Sequence, residues 1–547
     1  EASVHYTYFF YIMACCSRNE KYAPNFGGMN LSPRGDHRHW GAMQWWNNLN
    51  LYYNAILPSG HRELIEPYFN MYFNMYEASE TAARQVWGAE GIYIGETTYV
   101  WGPEKLPDSN ADELRELMLM RKPWSERSEA FEKFARRKNA FEPRWNWLIG
   151  KNTDSRWVNG ELEYEDTECG PISHVSHIFG SMANLAYQYW LCYEYTGDED
   201  FLREKAYPML RGIAEFFRTY PNTVKEDDGL YHVLYTNHNE CFWGGKDTLD
   251  TMTGMHGILR TVIHAARLLD VDQDKLPLWE ELLEHLAPLP TSKDTVCPVE
   301  MPEDGSEIFV GARGHALYRE NVTASPDPCL RFDFCNLQTA KADPHMYEVG
   351  KNTVEMFKRH YEKGDRDFGW EMSGFPRIFA AMGEGDILCD NIIKQIRAEM
   401  AASEHCFFVE NGSQNVYRNR LTAREGINAM SAQRLGNVAA GIQMGLMQSS
   451  GGAPTLPPVI RVFPAWKQSW NAEFELYAKG GLLLHARCVN GYVEFVKVTA
   501  SRDAHLALIN PWKNGACSEK ALFMEEEIHM DLKAGESVEF HENTERR

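Results

Sequence analysis

The two patterns that decide the fold meet in the stretch Leu446-Met447-Gln448-Ser449-Ser450-Gly451-Gly452, which continues through a proline-rich run to Pro458 and into Val459-Ile460-Arg461-Val462-Phe463. Before this stretch, apolar residues recur at intervals of three and four, which is typical of helices. After it, short runs alternate between apolar and polar residues and are separated by glycine turns, which is typical of strands. The sequence therefore predicts a mainly helical region over residues 1–450 and a β region over residues 455–547.

The helical region contains about a dozen candidate helices. A clear example is the stripe formed by Ile178, Met182, Leu185, Tyr189 and Tyr193, which ends at Gly197. Asp198 is a candidate N-cap for the next helix, and Pro208 predicts a bend in that helix. Further stripes cover residues 40–57, 61–86, 109–120, 124–139, 258–269, 278–286, 341–361, 373–397 and 435–449. Paired helices in this number predict an (α/α)6 barrel whose loops line a central cleft, although an irregular helical array has the same periodicity.

The C-terminal region contains short alternating runs that predict strands. These runs cover residues 459–463, 473–478, 482–487, 492–498, 505–509, 525–532 and 537–541. Strands of this length and spacing predict a β-sandwich of about 90 residues. The expected fold class is therefore mainly α, an (α/α)6 catalytic barrel with a C-terminal β-sandwich.

The composition excludes several classes of partner. The 547 residues carry a formal net charge of −22, which argues against nucleic acid and anionic membranes because both need a cationic surface. The sequence contains no run of about 20 apolar residues, which a membrane-spanning helix would need. Aromatic residues make up 13% of the chain; their faces can stack on sugar rings, so they favour a carbohydrate partner as much as a large aromatic core. No motif predicts a metal or a cofactor, and the oligomeric state stays open.

The chain opens with Glu1-Ala2-Ser3 and enters an apolar helical pattern between Tyr6 and Met13. This abrupt beginning predicts that an N-terminal portion has been removed.

One carboxylate stands out in the run Thr236-Asn237-His238-Asn239-Glu240-Cys241-Phe242-Trp243. Aromatic neighbours disfavour the ionised form of Glu240, which raises its pKa and lets it donate a proton near neutral pH. A glycosidase needs such a group as its general acid. A loop glutamate that caps the next helix, or pairs with Lys246, is the other interpretation of the same run.

Four segments, in chain order, resemble glycoside hydrolase family 95, a family of inverting α-L-fucosidases and α-L-galactosidases. The first segment is the opening helix at 11–18 with the turn Pro24-Asn25-Phe26-Gly27-Gly28-Met29-Asn30, and the second is the run Gln44-Trp45-Trp46-Asn47-Asn48-Leu49-Asn50. The third is the pair Asn239-Glu240 followed by Asp250. The fourth runs from Gly436-Asn437 through Gly441-Ile442 into Leu446-Met447-Gln448-Ser449. Together they span nearly the whole chain. The resemblance implies the barrel and sandwich, a family N-terminal β-domain that is absent from this chain, and a periplasmic or extracellular location.

The resemblance also assigns roles. Glu240 takes the position of the general acid. In the family, two asparagine side chains hold the aspartate that activates water. Here Asn48, with Asn47 beside it, takes one of these amide positions, and Trp46 takes the other.

The position of the family's general base falls on Gln433, and glutamine cannot accept a proton in that role. Glu425 is the first candidate for a relocated base and Glu410 is the second. A helix cap or an ion pair is the alternative role for Glu425, and Glu410 lies in an amide-rich loop.

Other candidate substrate contacts surround these positions. They are His238, Asn239, Trp243, Trp370 and Glu371. The tryptophans also fit a position that is half core and half cleft wall, and Glu371 also fits a helix cap. His174 and His177 lack a carboxylate or cysteine at ligand spacing, which favours structural or sugar-contacting histidines over a metal pair.

The sequence as a whole predicts an inverting glycoside hydrolase that acts on an oligosaccharide or polysaccharide. Two alternatives stay open. A sugar phosphorylase of the same fold class would use phosphate in place of water, would need no base, and predicts a cationic pocket beside Glu240. A non-catalytic carbohydrate-binding protein would bind the sugar without turnover.

Overall fold

The computed structural model of the protein describes residues 1–18, 20–24, 43–138, 156–158, 161–163, 175–238, 242–294, 302–313, 317–318, 326–362, 375–404 and 432–544. Within these ranges the chain is mostly helical up to Leu446 and mostly strand from Met447 onward. This confirms the predicted mainly helical chain with a β-rich C-terminal region. In the same ranges, no helix is both long enough and apolar enough to cross a membrane.

The α-helices vary from single turns to more than five turns. They are α1 (Ala2–Cys16), α2 (Trp46–Tyr53), α3 (Glu66–Asn74), α4 (Tyr76–Ala82), α5 (Asp108–Met118), α6 (Glu129–Lys138), α7 (Gly180–Thr196), α8 (Glu199–Phe201), α9 (Tyr207–Thr219), α10 (Leu249–Leu269), α11 (Leu276–Glu284), α12 (Asp327–Leu330), α13 (Thr339–Ala342), α14 (Pro344–Glu362), α15 (Phe375–Ala381), α16 (Gly385–Glu404) and α17 (Ala432–Leu446).

Short strands interrupt the helical region, and longer ones follow it. They are β1 (Gln44–Trp45), β2 (Thr97–Thr98), β3 (Arg156–Val158), β4 (Glu161–Glu163), β5 (Thr223–Lys225), β6 (Tyr231–Val233), β7 (Thr236–His238), β8 (Phe242–Gly245), β9 (Leu317–Tyr318), β10 (Met447–Ser450), β11 (Val459–Val462), β12 (Ala472–Ala478), β13 (Leu482–Val489), β14 (Tyr492–Ala500), β15 (Ala504–Ile509), β16 (Ala516–Cys517), β17 (Leu522–Phe523), β18 (Glu527–Leu532) and β19 (Ser537–Glu542).

Local signals set the ends of α7 and α8. Gly197 ends α7 with a left-handed φ of 67°, a conformation that glycine adopts without a Cβ penalty. The side chain of Asp198 accepts a hydrogen bond from the backbone N–H of Phe201 at 2.9 Å, so the predicted N-cap is confirmed. A π-helical turn, rather than a simple kink, precedes α9 at residues 202–206. This wider turn includes Glu204, whose carbonyl a regular helix would place against the ring of Pro208.

The predicted helix over residues 435–449 is wrong at its C-terminal end. Residues 447–450 form β10, which pairs antiparallel with β11 from Met447↔Val462 to Ser450↔Val459. The local sequence continues the helical periodicity, but the backbone groups of this segment find a β partner about ten residues further along the chain. Long-range strand pairing therefore overrides the local pattern.

Helices α7 and α10 approach each other closely because glycines lie at their contact. A Cβ on Gly180 would lie 2.6 Å from the carbonyl oxygen of Asp250, and a Cβ on Gly254 would lie 2.8 Å from the Cβ of Ala183. Both distances are too short for real side-chain contacts. The close approach holds Asp250, in the first turn of α10, against the N-terminus of α7.

The β-rich region contains a four-stranded sheet in the order β10-β11-β15-β18 and a six-stranded sheet in the order β12-β13-β14-β19-β16-β17. Alternate residues of the long strands are buried, as period-two side chains require. Leu484 of β13 and Leu508 of β15 are both fully buried and belong to one hydrophobic cluster. Ile442 and Leu446 of α17 belong to the same cluster, so the sheets share a core with the end of the helical region.

A buried lysine links the β-rich region to the helices. Lys479 lies in the turn between β12 and β13, is only 6% exposed, and pairs with Glu194 of α7 at 2.9 Å and with Asp333. The backbone N–H of Gly480 also donates to the carbonyl of Glu194 at 2.8 Å. Burial acts to lower the pKa of the Lys479 ammonium, but the charges of Asp333 and Glu194 outweigh it and hold this pKa well above its usual range.

We expect the Lys479→Met substitution to lower the free energy of unfolding by about 3–5 kcal/mol, because it leaves two partly buried carboxylates without their cation. Urea unfolding followed by tryptophan fluorescence measures this loss. Lys533→Met is the matched control, since Lys533 pairs with Asp503 on the surface, where both side chains are largely exposed; its free energy of unfolding should stay at the wild-type value. Equal losses in the two variants would contradict a structural role for the buried pair.

Candidate functional site

The position predicted for the acid lies between two short paired strands. β7 and β8 are antiparallel, with His238 opposite Phe242, and β8 also pairs with β9. Asn239, Glu240 and Cys241, which join β7 to β8, lie outside the described residues. The sequence predicts a loop here, and the described residues on either side of it are paired as antiparallel strands.

Asn237 anchors this hairpin to the segment that precedes α7. Its side chain is fully buried, and its Nδ2 donates a hydrogen bond to the carbonyl of Ser176. Its Oδ1 accepts a hydrogen bond from the backbone N–H of Gly244 at 2.9 Å, across the hairpin. The backbone N–H of Asn237 donates to the carbonyl of His177 at 2.9 Å. Asn237, the residue that makes these bonds, is itself buried, so the base of the hairpin is held in one place.

His238 forms a buried ion pair with the first residue of α12. Its Nε2 lies 2.6 Å from Oδ2 of Asp327, and both side chains are nearly inaccessible to solvent. Burial acts to lower the pKa of His238, but the hydrogen bond and charge of Asp327, followed by the charge of Asp250, raise it above its usual value. The imidazole is therefore biased towards its protonated, cationic form.

The same carboxylate also holds an arginine against an aromatic ring. Oδ1 of Asp327 lies 3.3 Å from Nε of Arg331, and the guanidinium carbon of Arg331 lies 5.4 Å from the ring centroid of Trp46. This is the distance range of a cation–π interaction. Trp46 is thus connected to His238 through Arg331 and Asp327.

Glu96 fixes the first turn of α2, where Trp46 and Asn47 lie. The backbone N–H of Trp46 donates to the carbonyl of Glu96 at 2.9 Å, and the backbone N–H of Asn47 donates to its Oε1 at 2.8 Å. Glu96 is 1% exposed. A carboxylate in this position satisfies N–H groups that have no partner within the helix.

Asp250 adds a second buried carboxyl group near His238. It is 3% exposed, and one of its oxygens, Oδ1, accepts a hydrogen bond from the backbone N–H of Thr251 at 2.7 Å. Burial raises the pKa of Asp250, and the charge of His238 acts in the opposite direction. Its neutral form is therefore favoured more than that of an ordinary aspartate.

The structure brings together part of the predicted site. Trp46, Asn47 and Asn48 share the first turn of α2, and His238 lies across from them through Asp327 and Arg331. Asn48 is 5% exposed.

Trp243, a predicted substrate contact, lies in β8 and is 8% exposed. Gln433 lies in the first turn of α17, a helix that packs against α2.

The other predicted residues lie outside the described ranges. They are Asn239, Glu240, Trp370, Glu371, Glu410 and Glu425. His174 is also outside them. His177 is fully buried, its Nε2 lies 2.8 Å from the carbonyl of Met118, and burial lowers its pKa to about 4. These contacts agree with a structural histidine, and the described residues contain no group of three or more potential metal ligands.

Two charged residues of this site were not predicted from the sequence. Asp327 follows a proline and is itself followed by another, which resembles an ordinary turn, and Glu96 carries no motif. Only the tertiary structure places them near residues that are far away along the chain. Arg331 forms an internal ion pair with Asp327.

Residues 164–297 match the sequence profile of the glycosyl hydrolase family 95 catalytic domain. The predicted resemblance to this family is confirmed. The matched segment contains β7, β8 and α10, and with them the position of Glu240.

Individual relatives are more distant. Kojibiose hydrolase from Flavobacterium johnsoniae is 32% identical over 79 residues, which is 14% of this chain and 11% of that protein. A solved structure described as a candidate kojibiose phosphorylase from human microbiome is 10% identical with a TM-score of 0.45, covering 97% of this chain and 66% of that one. A GH127 β-L-arabinofuranosidase from Geobacillus stearothermophilus T6 is 11% identical with a TM-score of 0.20, covering 91% of this chain and 80% of that one. The chain therefore aligns with only a small part of its curated relative.

The His238–Asp327 pair predicts a pH-dependent stability. Because the folded-state pKa of His238 is raised, the pair stabilises fully below the unfolded-state value of about 6.5 and loses its contribution as the pH rises through the folded-state pKa. We expect Asp327→Asn to lower the free energy of unfolding more at pH 5.5 than at pH 9, measured by urea unfolding. The loss of the pair with Arg331 is common to both pH values.

Asp531→Asn is the matched control, because Asp531 pairs with the exposed His505 in a similar way at the surface. Its effect should be the same at both pH values. A larger effect of Asp327→Asn at pH 9 than at pH 5.5 would reverse the sign and contradict a protonated His238.

Proposed function

We propose that this protein cleaves glycosidic bonds with inversion, and that Glu240 is the general acid. The observation that carries this proposal is the family 95 catalytic-domain match, because the matched segment includes Glu240 and both strands that flank it. In an inverting glycosidase one carboxylic acid protonates the leaving oxygen while a second carboxylate activates water on the opposite face of the sugar.

The described neighbours of Glu240 support its role as an acid. Two peptide units separate Glu240 from His238 and two separate it from Phe242, so its Cα lies within about 7 Å of each of their Cα atoms. Phe242 and Trp243 are both buried. Buried apolar neighbours raise the pKa of a carboxyl group, and a cationic His238 acts in the opposite direction, so the proposed acid requires that the apolar side chains outweigh the histidine.

The first turn of α2 supplies candidate sugar contacts. Asn47 and Asn48 offer amides beside the indole of Trp46, and Glu96 holds the backbone of that turn. Aromatic rings and amides are the groups that usually bind sugar rings and their hydroxyls.

The order of helix contacts supports the proposed (α/α)6 barrel over residues 1–450. The hairpin strand β7 contacts α10, α10 contacts α12, α12 contacts α15, α15 contacts α17, and α17 contacts α2. Elements from the start, middle and end of the helical region therefore meet around one site. We propose that residues 455–547 form a β-sandwich domain behind it.

Glu425 is the proposed general base, with Glu410 as the second choice. Gln433 occupies the position of the family's base and cannot accept the proton. Asp250 is a third carboxyl group to compare, because it is buried close to His238.

We expect Glu240→Gln to lower kcat by about 10²–10⁴-fold, the usual contribution of a general acid. A panel of α-L-fucosides, α-L-galactosides and kojibiose measures this loss by released sugar. The loss should be much smaller on aryl glycosides with good leaving groups, which need no protonation. Glu226→Gln is the matched control, since Glu226 is a surface carboxylate paired with Lys246, and it should retain full activity.

The same variant separates an enzyme from a non-catalytic binding protein. Oligosaccharide that binds to the wild type without turnover, and equally well to Glu240→Gln, would contradict the proposed enzyme. Full activity of Glu240→Gln would remove this residue from the mechanism.

A base variant should behave differently from the acid variant. We expect Glu425→Gln to lose activity on all glycosides, including those with good leaving groups, because activation of water is needed for each of them. Glu410→Gln and Asp250→Asn are the comparison variants. Proton NMR of the first product formed should show the anomer opposite to that of the substrate, and retention would contradict an inverting mechanism.

A further inference from the structure

An arginine with a buried Nε lies on α15, a helix that packs against α12 of the candidate site. Arg377 belongs to α15, and its Nε is buried without a hydrogen-bond partner. Within the described part of the chain, its guanidinium makes no ion pair. Burial, followed by the charge of Arg331, lowers the pKa of Arg377 to about 10. A buried charge without a partner is costly, so its presence calls for a function or for a ligand of opposite charge.

Arg331 already has two partners within the protein. It pairs with Asp327 and stacks on Trp46. Asp327 is shared with His238, so one carboxylate serves two cationic groups. The guanidinium of Arg377 carries five N–H donors, and the one on its Nε has no partner among the described residues.

Several cationic groups lie close together in this part of a strongly negative protein. Arg331 and the protonated form of His238 share Asp327, and the charge of Arg331 acts on Arg377. The whole chain carries a formal charge of −22. His238 ends β7, the strand that precedes Glu240 in the chain.

We propose that Arg331 and Arg377 form a binding subsite for an oxyanion of the substrate or co-substrate, next to the bond that is cleaved. The subsite rests on the proposed function for its role in turnover, although binding can be measured without turnover. Guanidinium groups bind phosphate and carboxylate through paired, planar hydrogen bonds. Two sources supply such a group: free orthophosphate, or the carboxylate of an acidic sugar.

With orthophosphate as the source, the subsite delivers the nucleophile. An oxygen of hydrogen phosphate bonds to the anomeric carbon as the bond from that carbon to the glycosidic oxygen breaks. The electron pair of the broken bond goes to the glycosidic oxygen, which takes the proton of Glu240. The proton of hydrogen phosphate then restores Glu240, and the products are a sugar 1-phosphate and a free hydroxyl. No carboxylate base is required, which fits glutamine at position 433.

With an acidic sugar as the source, the subsite selects the substrate. Its carboxylate lies on the arginines, and water remains the nucleophile. Glu425 is then still required as the base. The two sources therefore differ in the product and in the need for a base.

Calorimetry with inorganic phosphate, and separately with galacturonate, tests the subsite on the intact protein. We expect one of these probes to bind the wild type, and Arg377→Gln to weaken that binding at least tenfold. Arg377→Lys should weaken it less, because it keeps the charge and loses only the planar donors. Arg260→Gln, which removes an exposed arginine from α10, is the matched control and should bind as the wild type does.

Thermal melting tests whether the Arg377→Gln variant is folded. In anion-free buffer Arg377→Gln should melt at or above the wild-type temperature, because an unpaired buried charge has been removed. The bound probe should raise the melting temperature of the wild type and not that of Arg377→Gln.

Turnover separates the two sources. Release of sugar 1-phosphate that depends on phosphate identifies orthophosphate, and hydrolysis restricted to uronic acid glycosides identifies a sugar carboxylate. Binding of neither probe to the wild type, or equal binding to Arg377→Gln, would overturn the subsite. Glu240→Gln should still bind the probe while losing turnover; if it binds and remains fully active, the role of Glu240 fails while the subsite stands.

Discussion

The buried pairing of Lys479 with Asp333 and Glu194 is the constraint on which the site depends. Asp333 lies in a tight segment in which both Phe332 and Asp333 have positive φ angles, 59° and 55°. Such angles are costly for residues other than glycine and persist only when the surroundings hold them. Lys479 supplies this hold from the β-rich region, and the ring of Phe332 packs 4.5 Å from that of Tyr187.

This constraint reaches the site through Arg331, the residue immediately before the strained segment. Phe332 fits closely over α10, where a Cβ on Gly257 would lie 2.1 Å from its ring. The direction of Arg331 is therefore set by packing on one side and by the Lys479 ion pair on the other. From there the guanidinium reaches both Asp327 and Trp46. The β-rich region thus contributes to the site although it supplies none of its described side chains.

Much of the fold could be predicted because helices and strands leave local patterns in the sequence. Gly197 and Asp198 mark a helix end and a helix start by their own chemistry. The strands after residue 458 follow from period-two burial. The hairpin around Glu240 and the strand at residues 447–450 could not be predicted, because their pairing partners compete with local preference. Asp327 and Arg377 were missed for the same reason, since a charged residue outside a motif gains its meaning only from its neighbours.

The sequence by itself determined the change from helices to strands near residue 450, the resemblance to family 95, and the proposal of Glu240, His238 and Trp46 as site residues. Periodicity and short motifs are enough for these, because each is written in consecutive residues. Only the tertiary structure decided the electrostatics of the site. Two features depend on α12, α15 and the hairpin meeting in space. They are the sharing of Asp327 by His238 and Arg331, and the burial of the Arg377 Nε without a hydrogen-bond partner among the described residues. Charge effects depend on distance and burial, and neither of these can be read from the order of residues.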